Sequence, residues 1–97
     1  MIKIYVIQSK SFYKDDRGID YQVADYGEVP SIFTSLKRAK ASMEHRKATR
    51  LNLCNETIVS DYPVGRDTEP FLVQEFTTMH EQTGVRTIVS LYETFTI

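Results

Sequence analysis

Two β-rich runs, Phe71–His80 and Val85–Ile97, are separated only by Glu81-Gln-Thr-Gly84. In the second run Val85, Val89, Leu91, Phe95 and Ile97 fall on one face, and Arg86, Ser90, Thr94 and Thr96 on the other. That alternation marks a strand with one side on a core, and the short Gly-containing spacer predicts a long antiparallel hairpin. A chain whose last third is such a hairpin has to build a sheet, and the rest of the sequence must supply what covers it.

Ile2–Gln8 adds a strand in which Ile2, Ile4 and Val6 alternate with Lys3, Tyr5 and Ile7. Large side chains on both faces predict an interior position. Lys14-Asp-Asp-Arg-Gly18 is turn chemistry, and Ile19–Tyr26 alternates as a half-exposed strand. The two strands are expected to pair across a loop of about ten residues. Gly27-Glu-Val-Pro30 ends the second strand, and Ile32-Phe33 forms a brief extended piece.

Thr34 or Ser35 then caps a helix over 35–52, rich in Ala, Leu, Lys, Arg and Met. At 100° per residue Leu36, Ala39 and Met43 share a face, which continues into Lys47 and Arg50 instead of apolar groups. The first two turns are therefore expected on the sheet and the last two to overhang it, with Asn52 and Asn55 as stop residues. Glu56–Asp61 reads as a short strand, and the segment from Tyr62 to Pro70 as a Pro-bracketed loop.

With 97 residues, 41% hydrophobic and 26% charged, the composition is that of one globular domain spanning 1–97. No apolar run reaches the length of a membrane span, and the opening segment is too short and too soon polar for a signal peptide. A cytoplasmic protein with no membrane association is expected. The single cysteine excludes an internal disulfide framework and any multi-cysteine zinc site.

Charge is polarised. Lys37, Arg38, Lys40, Arg46, Lys47 and Arg50 lie within 36–51 against one acid, Glu44, while the rest of the chain carries six basic and twelve acidic residues. Such a stretch either faces water and balances the protein's own acids, or offers those six cations to an anionic partner such as nucleic acid.

Chemistry-bearing residues are sparse. His45 has Ala41 and Thr49 at helical spacing and therefore no partner; His80 ends a strand beside Glu81, whose side chain points to the other face. Cys54, at a helix C-terminus, lacks the electropositive setting that activates a thiol and reads as structural. Asp15, Asp16 and Asp20 miss the calcium-loop spacing, Asp61, Asp67 and Glu69 read as solvated acids, and the four glycines are too scattered to cradle a phosphate. No catalytic residue, metal site or cofactor is expected. Phe12, Tyr13, Tyr21 and Tyr26 interleave with charge, but basics on a helix and aromatics on strands are expected on different surfaces, leaving the tyrosines to core or interface.

The order of elements, with Ile32-Phe-Thr-Ser-Leu-Lys-Arg-Ala-Lys40 at the helix entry, resembles small uncharacterised αβ proteins of bacteria, phages and mobile elements. The resemblance implies a sheet covered by one helix and carries no activity. The expected fold is α+β: a largely antiparallel sheet of four or five strands with one long helix packed on one face. One helix cannot cover such a sheet, so a protein partner or a second copy is expected on the uncovered side. The functional expectation is a non-enzymatic interaction module, in the manner of a mobile-element regulator or inhibitor. The alternative is nucleic-acid binding through the basic helix.

Overall fold

The computed structural model describes residues 2–23, 30–62 and 71–96. Seven elements follow one another: β1 (Lys3–Lys14), β2 (Asp20–Val23), β3 (Ser31–Phe33), α1 (Leu36–Asn52), β4 (Glu56–Tyr62), β5 (Leu72–His80) and β6 (Arg86–Phe95). They form one antiparallel sheet in the order β2-β1-β6-β5-β4, with β3 also paired to β1, and a single helix packed on it. This is the α+β two-layer arrangement expected, five strands wide. The Pro-bracketed loop with Asp67 and Glu69, the break at Gly27, and Tyr26 lie outside the described residues.

β1 is interior, as its two-sided hydrophobicity requires, but longer than expected: it runs on through Phe12 and Tyr13. β6 pairs it from Lys3↔Phe95 to Phe12↔Arg86 without a break in register. On its other side, β3 takes Tyr5–Ile7 and β2 takes Ser11–Lys14, so two short strands share one edge position. The extra length shortens the β1–β2 connection from the expected ten residues to five. Asp15 closes it: Oδ1 accepts from the Arg17 and Ile19 amides, both at 2.9 Å, and Gly18 supplies φ 81°.

The hairpin of β5 and β6 forms as the sequence predicts, with His80 and Gly84 closing its turn and Gly84 at φ 72°. Register slips by one residue near Val73 in β5, and again near Val59 in β4. Such bulges sharpen the local twist of a sheet.

The core lies between α1 and the side chains of one sheet face: Tyr5, Ile7, Phe76, Val89 and Leu91 against Ala39 and Met43, with Phe33, Leu36 and Val73 at its margin. Ser35 is the N-cap; its Oγ accepts the Arg38 amide. Leu53 closes the other end on the Thr49 carbonyl, and Asn55 takes φ 55° to turn the chain into β4.

The expected overhang of the last two turns is not found. α1 crosses the sheet from the β3 edge to the β4 edge, and its second half docks through charge. The Lys47 Nζ lies 2.8 Å from Asp61 Oδ2 and 5.7 Å from the centre of the Phe76 ring. The Arg50 Nη1 lies 3.0 Å from Glu56 Oε2, whose side chain is buried and also accepts the Thr78 hydroxyl at 3.3 Å. Long cationic stems thus cover the core where the apolar stripe of the helix runs out.

Candidate functional site

Three surfaces position the residues singled out in the sequence. The first is the basic helix. Its six cations separate into two groups. Lys37, Arg38 and Lys40, in the first turns, are exposed. Arg46, Lys47 and Arg50 are partly covered and engaged within the protein: Arg46 Nη2 donates to Ser31 Oγ at 2.6 Å, and the other two hold Asp61 and Glu56. Hydrogen bonding to Asp61, with its charge and that of Glu44 acting the same way, raises the Lys47 pKa above its ordinary value against the opposing effect of burial. The periodicity of the sequence placed Lys47 and Arg50 on the core-facing stripe, and their carboxylate partners are what make that placement tolerable.

The second surface is the sheet face turned away from α1. Alternation from the core positions assigns it Ile4, Val6, Gln8, Lys10 and Phe12 of β1, and Arg86, Ile88, Ser90, Tyr92 and Thr94 of β6. Register extends it across the other strands in rows. Ile32, Val6, Tyr92 and Leu72 make an apolar row; Gln8, Ser90 and Glu75 a polar one. Farther along, Lys10, Ile88 and Thr77 lie side by side, then Phe12, Arg86 and Met79. The face therefore has one apolar row, a polar belt beside it, and beyond the belt a mixed region in which Ile88, Phe12 and Met79 stand among Lys10, Thr77 and Arg86; Leu72, Ser90 and Thr77 are buried within it. Depressions of about 480, 220 and 550 Å³ follow one another along it, the first against Phe71 and Tyr92, the second against Glu75 and Ser90, the third against Phe12 and Val59. Ile32 is 65% exposed and Phe71 60%, high values for side chains of this kind.

The third surface lies on the helix side, where the sheet runs on beyond α1. A crevice of about 400 Å³ opens between the helix and the β1–β6 pair, lined by Ser42, His45, Arg46, Thr49 and Arg50, by Cys54 after the helix, and by Ser9 and Val89 on its floor. Cys54, read as structural from the sequence, is exposed. His45 is exposed as well; His80 instead sits at the hairpin turn, its Nδ1 accepting the Thr83 amide at 3.4 Å. Tyr13 continues the same side of β1 as Tyr5, Ile7 and Ser9, and lies directly opposite Tyr21 on β2. The tyrosine pair and the cations of the helix are thus on one side of the sheet, not on different surfaces. The sequence carried the signal: alternation from Tyr5 reaches Tyr13 once the strand is continued past Gln8.

Among the described residues, no group of three or more His, Cys, Asp or Glu side chains is placed to hold a metal ion, and no helix is long and apolar enough to cross a membrane. Neither family models, nor curated proteins, nor solved structures give a match to this chain.

Proposed function

We propose that this protein is a non-enzymatic interaction module that assembles with a second copy of itself through the open face of its sheet. The pattern of rows on that face carries the reading. A two-fold axis laid along the strands sets the apolar row on its own copy and the polar belt on the polar belt, which is the self-complementarity an isologous interface requires. Lys10 and Glu75 lie on opposite sides of β6 in neighbouring rows, so the same axis brings each near the other's copy. Five strands about 4.8 Å apart and some nine residues long give a face on the order of 500 Å² in plane. With side-chain relief this approaches the roughly 800 Å² per partner of a standard stable interface.

Light scattering during size-exclusion chromatography tests it. A dimer is expected, insensitive to salt, that Val6→Glu and Ile88→Glu together convert to a folded monomer. A wild-type monomer at the highest soluble concentration, or a dimer untouched by both substitutions, overturns the reading.

A further inference from the structure

On the opposite side of the molecule, we infer that the crevice beside α1 and the Tyr13–Tyr21 pair form one track for single-stranded nucleic acid. Two features place these elements in a single site. Among the described residues, the crevice lining offers two guanidiniums, an imidazole and the hydroxyls of Ser9 and Ser42, and no carboxylate; the Thr49 hydroxyl is already given to the His45 carbonyl. Such a donor set suits a phosphate oxygen. The Arg46 guanidinium is already fixed by its 2.6 Å bond to the Ser31 hydroxyl, which orients it without adding a negative charge, whereas the charge of Arg50 is offset by Glu56.

The tyrosines supply the second feature. Both are large, exposed aromatic side chains, 43% and 46% accessible, at directly opposite positions on neighbouring strands. The Arg17 Nη2 donates to the Tyr21 hydroxyl at 3.1 Å and pairs with Asp15, which steadies the ring and sets a guanidinium at the outer end of the track. An isolated tyrosine pair at a strand end needs no explanation, but this one follows Ser9 and Ser11 along the same side of one strand. At about 3.4 Å per residue, Tyr13 lies roughly 14 Å from Ser9, a span of two nucleotides in an extended strand. Phosphate in the crevice and bases on the tyrosines therefore fit one short oligonucleotide. A duplex, with its bases stacked inside, can use only the crevice.

Fluorescence anisotropy with a labelled ten-nucleotide oligo-dT or oligo-rU, beside a duplex of equal length, tests this on the intact chain. The single strand is expected to bind, with log K falling against log salt at a slope of about −1 to −2, as two or so neutralised phosphates give. Tyr21→Leu and Tyr13→Leu are each expected to weaken it about tenfold. Arg46→Gln should weaken it and flatten the salt slope, and His45→Ala should weaken it, whereas Tyr21→Phe leaves binding in place. Circular dichroism establishes that each variant is folded; Tyr21 and His45 are exposed, so those two report even if Arg46→Gln does not fold. Absence of binding at low salt overturns the inference. So does equal affinity for duplex with no response to the tyrosine variants, and so does a loss of binding that follows Lys37, Arg38 and Lys40 alone.

Discussion

Arg50 and Glu56 meet beneath the end of α1 at 3.0 Å, in a place where the carboxylate has only 6% of its side chain exposed. The pair joins the helix to the edge strand β4, and the Thr78 hydroxyl extends it to β5. Removing one partner of such a pair leaves a charge buried without compensation. Arg50→Met is therefore expected to lower stability by about 2–4 kcal/mol in urea titrations. Arg50→Met combined with Glu56→Leu should recover most of that loss. A single variant within about 0.5 kcal/mol of wild type would show that the pair is spectator to the fold.

Lys47 gives the fold an alkaline limit. Its pKa is raised by Asp61, so the folded state holds the proton more firmly than the unfolded chain does. That contribution is complete below the ordinary lysine value of 10.5 and is lost as pH climbs through the higher folded value. Asp61→Asn should return the Lys47 titration toward its ordinary position by NMR, and bring forward the alkaline fall in thermal stability.

Asp15 sets the corresponding acidic signature at the β1–β2 turn. Hydrogen bonding from the Ile19 amide, together with Arg17 and Tyr21, holds its carboxyl below the usual aspartate value despite some desolvation. Its support for the turn is present above pH 3.8 and fades as pH falls through the lower folded value. Amide exchange at Arg17 and Ile19 should accelerate in that acidic window, and Asp15→Asn should raise exchange there at neutral pH.

Two turns depend on glycine for conformation alone. A Cβ added at Gly18 or Gly84 meets nothing within 4 Å, so any cost of alanine there comes from φ values of 81° and 72°. Gly18→Ala and Gly84→Ala are each expected to cost about 1–2 kcal/mol. Asn55→Gly, at φ 55°, should be neutral or slightly stabilising. Equal small effects at all three would remove the backbone explanation.

Core and open face differ in kind. Phe76 has no exposed surface and Phe76→Ala should cost about 3–5 kcal/mol. Ile32→Ala, on the open face, should change monomer stability by less than about 0.5 kcal/mol while weakening the dimer. A large loss of monomer stability at Ile32 would mean that its side is covered within one chain.

Periodicity made the fold readable. Alternation found the hairpin, a period of 100° per residue found the helix stripe, and Thr34 with Ser35 marked the helix start, of which Ser35 is the cap. What it missed were lengths and partners. β1 passes Gln8 because Ser9, Ser11 and Tyr13 alternate with Lys10 and Phe12, a polar continuation that hydrophobic runs do not reveal. The docking of the helix end was hidden because Lys47 and Arg50 read as solvent residues until Asp61 and Glu56 are brought beneath them by the turn at Asn55. The crevice was unreadable for the same reason: Ser9, His45 and Cys54 converge only after the helix has crossed the sheet.

The centre of the sheet joins the two most distant parts of the sequence, with Lys3 opposite Phe95 and the Thr96 amide on the Ile2 carbonyl. Until β6 has left the ribosome, β1 has no neighbour on that side, and the core residues Val89 and Leu91 are missing. Local hairpins can form early, but the closing contact carries almost the whole loop entropy of the chain. Closing the β1–β6 pair is therefore expected to be a late and slow step in the folding of this domain. A ribosome stalled between β5 and β6 would hold a chain with an open edge, a ready substrate for chaperones and for pairing with its neighbours.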